Sequence, residues 1–593
     1  MNKNITVGIG GILGHDGNAA LLVEGRLVAS SQEERFTRIK HDAQFPARAL
    51  ADCLAQAGLH GEDVETCVFA EKPLQSIFQE RTFGASNALW RWLGGVLDPG
   101  LGTDYVAHAR RLLPNAQLRY AWHHLSHAEA AFRTSPFDSA AFLCLDGKGE
   151  EVNATLGIVN HDRIEVLQEL PYENGLGLLY TAVTELLGFP SFGSEYKVMG
   201  LAPYGNPKYV PNLEKLMTTD ERGAVMIDFP LTFKGRHAPG AVEEIARRTG
   251  LPLRRKSDAT EQIHADIAAS VQHIFEREVL KMVRHLKDLT GEDNMVFCGG
   301  CAQNCVAAGR IRREAIFRGV FNSPVGGDMG SGLGAALLHE RTRRRGAKYH
   351  VDARGFYLGS EPGAMPGDAA PYRVDLSAKN VHAAAAELLA QGKVVGWVRG
   401  GMELGARALG ARSILADPRV HDMQSVLNLK VKFRESFRPF APAVLAEDTD
   451  EWFDTKEASD FMQYTAYLVP EKRHPVPAGL DDMKARLDFQ RCDVPSIIHV
   501  DYSARLQTVR KDVHPDFHRL ITEFKKLTGV PIVINTSFNV SGQPIVRTAE
   551  EAWLCFQNTD MDYLVVNDEI YRNPNLKTRE EKLQWLKQFA KHA

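Results

Sequence analysis

The chain has 593 residues, 44% of them apolar and 24% charged, with a formal net charge of −4. That length exceeds one hydrophobic core and calls for two or more domains, while the near-neutral balance offers no global footprint for nucleic acid or a membrane surface. No stretch reaches the ~20 apolar residues of a spanning helix, the N-terminus lacks a signal peptide's apolar core, and the eight scattered cysteines suit reduced thiols, so a cytoplasmic location is expected.

Residues 5–9 alternate as a strand, and Gly8, Gly10, Gly11 and Gly14 lead to His15-Asp16-Gly17. Residues 19–23 and 27–29 predict a hairpin closed by Glu24-Gly25. A strand, a glycine turn bearing polar residues and a returning strand is one way to hold phosphate oxygens near backbone N–H groups. A helix is predicted over 45–57 between Pro46 and Gly58, a strand over 64–69, and helix over much of 75–115 with Trp90 and Trp92 in the core.

Trp122-His123-His124-Leu125-Ser126-His127 then precedes an apolar run, 140–145, that delivers Asp146-Gly147-Lys148-Gly149. Two histidines four apart, with an aspartate at the mouth of a buried strand, offer the imidazole and carboxylate donors of a divalent transition metal. On a helix His123 and His127 share a face. Ser126-x-x-Glu129 also reads as a capping box, which starts the helix at Ser126 and leaves His123 on the incoming turn.

Paired strands are predicted at 152–159 and 164–170, a helix over 176–187 ending at Gly188, and a substrate-facing loop over 195–205. Residues 207–255 carry no pattern. A long helix covers 262–286, and the strand 294–298 enters Gly299-Gly300, with Asn304 opening the next helix. Cys298, Cys301 and Cys305 sit among small residues, which favours tight packing over a metal cluster. A strand over 320–324 runs into a glycine-rich turn. The glycine-rich loops at 10–17, 146–149 and 326–334, each after a short apolar run, form the pattern of a nucleotide-binding α/β cleft. Glu33-Glu34-Arg35 and Lys40-His41 read as a solvated edge.

A basic helix over 339–350 precedes the clearest linker, 359–370, and a second unit begins near Val381 with a helix (382–390) and a strand (393–398). Residues 428–440 interleave cations with Phe433, Phe437 and Phe440. If extended, they align Lys430, Lys432 and Arg434 on one face, and cations this close need a polyanion or carboxylates. A phosphate-bearing small substrate is favoured there over single-stranded nucleic acid. Residues 530–539 are a buried strand ending in a polar cluster, where α/β sheets gather ligand groups, and 577–593 is a lysine-rich surface helix.

The motifs Gly14-His15-Asp16, Glu34-Arg35 with Lys40, His123-x-x-x-His127, Asp146-Gly147, Lys197-Val198-Met199-Gly200-Leu201-Ala202-Pro203-Tyr204-Gly205 and Gly299-Gly300 with Asn304 fall in the first half. Arg407-Ala408-Leu409-Gly410-x-Arg412, Lys432-Phe433-Arg434 with Arg438-Pro439-Phe440, and Asn535-Thr536-Ser537-Phe538-Asn539 fall in the second. Together they resemble, nearly end to end, the O-carbamoyltransferases of natural products: the nodulation-factor, cephem, tobramycin and ansamycin enzymes. One departure is Cys301, where members more often carry an apolar residue, and a neutral packing change is expected.

The resemblance implies an α/β protein with an actin/Hsp70/sugar-kinase-like (ASKHA) domain over 1–355, a linker at 356–375 and a YrdC-like α/β domain over 376–593. It implies that carbamoyl phosphate and ATP, the latter with Mg2+, form carbamoyl-adenylate in the second domain. A hydroxyl of a small molecule, in antibiotic or other secondary-metabolite synthesis, then takes the carbamoyl group in the first. It implies a metal on His123, His127, Asp146 and Asp328, iron(II) favoured over Mn2+ or Zn2+. It also implies phosphate contacts from Arg407, Lys432, Arg438, Arg505, Asn535 and Ser537, and further cofactor contacts in the first domain from Lys40, Lys148, Gly300, Asn304 and Gly327. His15, as a neutral imidazole, is expected to take the hydroxyl proton. A tRNA threonylcarbamoylation enzyme would need a basic surface that the composition lacks, and an ATP-binding scaffold of the same fold would leave the cations at 430–438 without purpose.

Overall fold

Three mixed sheets carry the chain. The computed structural model describes residues 4–11, 15–71, 105–147, 149, 152–171, 175–190, 193–227, 241–344, 346–352, 356–376, 380–477, 479–480 and 482–592. The first sheet holds β1 (Ile5–Gly10), β2 (Asn18–Val23), β3 (Arg26–Gln32), β4 (Thr66–Phe69) and β5 (Gln117–Tyr120) in the order 3-2-1-4-5. Its first three strands form an antiparallel meander, and β4 and β5 add on in parallel. Glu24 and Gly25 take φ of 51° and 67°, the positive values that a two-residue hairpin turn needs to match strand twist.

The second sheet repeats the plan. β6 (Ser139–Leu145), β7 (Val152–Asn160) and β8 (Ile164–Pro171) meander. A long insertion follows, containing the small hairpin of β9 (Met217–Thr219) and β10 (Val225–Ile227) and the helix Gln262–Thr290. Then β11 (Asn294–Cys298) and β12 (Gly319–Asn322) complete the order 12-11-6-7-8, with β11 parallel to both its neighbours. Two copies of one three-plus-two sheet are the ASKHA plan. Each copy ends in a helix, His123–Thr134 in the first and Ser331–Arg343 in the second. The two helices pack on each other, and each also lies against the sheet of the other copy.

That crossing is close because glycine makes it. A Cβ on Gly334 would stand 1.9 Å from the Ser126 carbonyl oxygen, and one on Gly8 would stand 1.8 Å from that of Gly332. Gly334→Ala is therefore expected to force the helices apart and lower the unfolding free energy by about 1–3 kcal/mol, read from urea denaturation.

The second unit is an α/β domain. β13 (Val395–Val398), β14 (Arg412–Ala416) and β15 (Ala441–Leu445) precede a two-stranded piece of β16 (Thr465–Tyr467) and β17 (Ser503–Arg505). After it come β18 (Gln507–Val509), β19 (Ile532–Ser537), β20 (Tyr563–Val566) and β21 (Glu569–Arg572). The main sheet is seven-stranded, ordered 18-15-19-14-13-20-21. Alternate residues face two cores: Trp397, Leu415, Val533 and Val565 on one side, Val398, Ile414, Ile534 and Leu564 on the other.

Several local expectations change. Residues 195–205 are not a loop but the helix Glu195–Leu201 with a turn, Ala202–Tyr204. The glycine- and proline-rich stretch 359–370 is packed, with Ala369 fully buried, Gly359 exchanging backbone hydrogen bonds with Met402, and Asp368 accepting from the Trp553 indole. Trp90, Trp92 and the expected helix before residue 105 lie outside the described residues. Among the described residues no helix is long and apolar enough to cross a membrane.

Candidate functional site

The helix His123–Thr134 starts at His123, and Ser126, instead of capping it, donates its hydroxyl to the Trp122 carbonyl at 2.9 Å. His123 and His127 therefore share a helical face one turn apart, their Nε2 atoms 2.9 Å from each other. The second repeat supplies the carboxylates. Asp146 is the first residue past β6, and Asp328 opens the turn before the helix Ser331–Arg343. His127 Nε2 lies 3.3 Å from both Asp146 Oδ2 and Asp328 Oδ1, and His123 Nε2 lies 3.7 and 3.4 Å from them. All four donor atoms fall within 4.8 Å of one another. Asp146 Oδ2 and Asp328 Oδ1 are buried without a well-formed hydrogen bond. Buried acceptors aimed at one point call for a cation, and N/O ligands at about 2.0–2.2 Å from a divalent metal would have this spacing. The residues present fit such an ion. Burial opposes the charge of both carboxylates. The imidazoles of His123 and His127 nevertheless hold Asp146, and His15 with the same pair holds Asp328, below the usual carboxylate range. Behind the set, Glu71 meets His123 Nδ1 at 3.2 Å and orients the ring.

His15 hangs between two aspartates, its Nδ1 2.8 Å from Asp16 Oδ2 and its Nε2 3.5 Å from Asp328 Oδ2. The other Asp16 oxygen holds His41 Nδ1 at 2.9 Å. Burial disfavours a charged His15, but Asp328 and Asp16 outweigh it and raise the imidazole to about 10. The two aspartates thus favour the charged ring when no cation shares them, whereas the role expected from the sequence is that of the neutral imidazole. Asn18 ties the two turns together: its amide donates to the carbonyls of Asp16 and Asp328, both at 2.8 Å, and its oxygen accepts from the Gly332 N–H at 3.0 Å. Asn18, His41 and Glu71 were not among the sequence candidates. Asn18 and His41 flank the glycine turn closely, but nothing in their spacing announced a shared partner.

Of the remaining candidates, Gly300 lies against the set, since a Cβ there would stand 2.9 Å from Asp146 Oδ1, and Gly327 immediately precedes Asp328. Asn304 is occupied otherwise. Its oxygen caps the helix Cys305–Arg313 by accepting from Ala307 N–H at 3.1 Å, and its amide donates to Gln272 at 3.0 Å. Lys148 lies outside the described residues. Lys40 belongs to a second cluster, its ammonium 6.0 Å from the centre of the Tyr196 ring.

That cluster lines the second unit where it meets the first. The cationic segment is not extended: Leu427–Lys432 forms a π-helical turn that leaves Lys430 exposed and buries Lys432. Lys432 Nζ donates to the carbonyl oxygens of Ser537 and Asn539, at 2.6 and 2.7 Å, and to Asn539 Oδ1 at 2.6 Å. It tethers the polar end of β19, and burial together with Arg434 pushes its ammonium well down from the usual lysine value. Arg407 is half-buried, its buried Nε is unpartnered, and desolvation with neighbouring Arg505 pushes the guanidinium down to about 9. Burial and Arg438 likewise depress Arg434, which sits 4.6 Å over the Phe440 ring. Asn535 donates to Ala408 O and Gln507 Oε1, at 3.1 and 2.7 Å, and leaves its own oxygen buried without a partner. Arg505 donates Nε–H to the Met462 carbonyl at 2.7 Å, and the Ser537 hydroxyl donates to Asn539 Oδ1 at 2.7 Å. Glu435 meets Lys197 at 3.3 Å and Arg438 at 3.5 Å. Guanidiniums crowded and depressed by one another are arranged for a polyanion.

Comparisons with known proteins agree along the chain. The family model for the carbamoyltransferase N-terminus matches residues 6–337, and that for the carbamoyltransferase C-terminus matches 386–573. An uncharacterized protein of Synechocystis, sll1178, is 38% identical over 97% of this chain and 98% of its own length. Nodulation protein NolNO of Sinorhizobium fredii is 34% identical over 94% of this chain and 79% of its own. Among solved structures, component A of (R)-2-hydroxyglutaryl-CoA dehydratase from Acidaminococcus fermentans aligns with 57% of this chain and 99% of its own, at 15% identity and a TM-score of 0.31. With both family models matched in order and a relative above 30% identity along nearly its whole length, the chain belongs to the carbamoyltransferase family and is a carbamoyltransferase enzyme.

Proposed function

We propose that the protein is an ATP-dependent O-carbamoyltransferase working in two chambers. Beside Arg407, Arg438 and Arg505, carbamoyl phosphate, ATP (with Mg2+) and water give carbamoyl-adenylate, phosphate and pyrophosphate. Their guanidiniums neutralise these polyanions and hold the attacking and leaving oxygens in line. The mixed anhydride is reactive toward water, so it is passed internally to the first domain. There an acceptor hydroxyl attacks the carbamoyl carbon, the bond to the phosphate oxygen breaks, and AMP leaves. The acceptor is a hydroxyl-bearing small natural product such as an antibiotic, toxin or sugar.

The observation that carries this reading is the pairing of a two-imidazole, two-carboxylate set with a separate cluster where Arg407 is crowded by Arg505 and Arg438. His123, His127, Asp146 and Asp328 would hold the metal; their donors suit iron(II), Mn2+ or Zn2+, and it is the family resemblance that favours iron(II). When bound, the ion supplies a Lewis acid for phosphate oxygens and cancels the carboxylate field that keeps His15 charged. His15, anchored by Asp16, then accepts the hydroxyl proton at Nε2, the nitrogen that faces Asp328.

The test is exchange of labelled pyrophosphate into ATP. Exchange that depends on carbamoyl phosphate is expected, and its absence sinks the two-chamber reading. His15→Asn should leave that exchange intact and reduce carbamoyl transfer and the accompanying AMP release by roughly 10²–10⁴-fold. Loss of both half-reactions would remove His15 from the role.

A further inference from the structure

The stretch 195–205 belongs to the first unit but lies against the segment that carries the second unit's cations. The Tyr204 hydroxyl donates to the Phe437 carbonyl at 3.0 Å, His499 Nε2 meets the Gly200 carbonyl at 3.0 Å, and Lys197 pairs with Glu435 at 3.3 Å. Tyr196 stands in the middle of this bridge. The Arg438 guanidinium lies 4.5 Å from its ring centre, and the Lys40 ammonium 6.0 Å from it. Arg407 and Arg434 are close enough to feel its charge. Among the described residues no group hydrogen-bonds the Tyr196 hydroxyl. A phenol with its face under a guanidinium and its hydroxyl unspent, amid six charged side chains of which five are cationic, is placed to serve an anion.

We propose that Tyr196 is a further phosphate-binding residue of the activation chamber, lent to it by the first unit: its hydroxyl donates to a phosphate oxygen of the anion held by Arg407 and Arg438, and its ring seats the Arg438 guanidinium. The inference rests on the reading of that chamber as a polyphosphate site. It makes the chamber composite, so that the second unit by itself lacks one donor and one aromatic support.

The electrostatics give the hydroxyl a working range. Burial raises the phenol, but Arg438, Lys40 and Lys197 outweigh it and Glu435, and pull it down to about 8. Below that value the phenol is neutral and can donate. Above it, a phenolate faces the phosphate, so anion affinity falls as pH rises through about 8.

Pyrophosphate binding to the full chain, measured by calorimetry at pH 7 and pH 9, tests this. Tyr196→Phe keeps the ring and removes the donor, and it should weaken binding at pH 7 roughly ten-fold. From pH 7 to pH 9 the wild type should lose affinity relative to the variant, so the gap closes or inverts. Taking the ratio of the two proteins cancels the titration of the probe itself. Equal affinities at both pH values, or a gap that does not change with pH, would overturn the assignment, as would a wild type that binds no pyrophosphate. A wild type that binds pyrophosphate but catalyses no carbamoyl phosphate-dependent exchange would sink the adenylate reading alone, and the Tyr196→Phe ratio would still decide this one. Thermal unfolding of the variant within a few degrees of wild type guards against a folding defect.

Discussion

If the proposed ion is bound, His127→Ala is expected to remove it. Metal per chain, by elemental analysis, should fall from about one equivalent to near zero, because one of only two imidazole donors is lost. AMP release in the transfer half-reaction should fall by roughly a thousand-fold, a few kcal/mol of lost charge stabilisation. Carbamoyl phosphate-dependent exchange, carried by the other chamber, should change little. His127 is fully buried, so truncation also leaves a cavity, and a modest fall in unfolding temperature is expected with it. Asp146→Asn, nearly isosteric, separates the two effects: it should lose metal with little change in stability. Full metal retention in both variants would make the imidazole pair a packing feature.

Arg407→Ala should do the opposite to stability while abolishing function. Removing one half-buried guanidinium from beside Arg505 and Arg438 relieves like-charge repulsion and desolvation, so the ligand-free variant should unfold at the same or a higher temperature than wild type. Exchange of pyrophosphate into ATP should nevertheless drop by about 10²–10³-fold. The pH dependence fixes the sign. Burial and neighbouring Arg505 push the Arg407 guanidinium down to about 9 in the folded chain, below the value of an unfolded guanidinium. Above about pH 9 the unfolded chain therefore binds more protons, and the stability of the wild type rises with pH through that window. The variant should show a flatter rise. Sulfate, as a stand-in polyanion, should raise the unfolding temperature of the wild type more than that of the variant.

Much of this was legible in the sequence, for identifiable reasons. The hairpin at Glu24-Gly25 follows from turn chemistry that acts within four residues. The imidazole pair, four apart beside an aspartate after an apolar run, states its donors and their spacing together. The polar end of β19 follows from a buried strand that stops in Asn535-Thr536-Ser537. What failed were inferences about backbone conformation where charges, not apolar periodicity, dominate. The segment 428–434 was read as a strand face, yet Lys432 turns inward to satisfy Ser537 and Asn539, more than a hundred residues away. Residues 195–205 showed no amphipathic period because that helix is clamped between two units and is solvent-facing on neither simple side. The approach of Asp328 to His15 was beyond reach because the second repeat brings it there.

The donor set is split two and two: imidazoles on the helix that closes the first repeat, carboxylates from the second. An ion seated there is a rivet through the hinge of a clamshell. Neither shell contains a coordination sphere of its own, so a truncated half would have nothing to fasten. Any tilt between the shells is felt as stretched metal–ligand bonds, which turns the ion's spectrum into a gauge of how tightly the clamshell is shut.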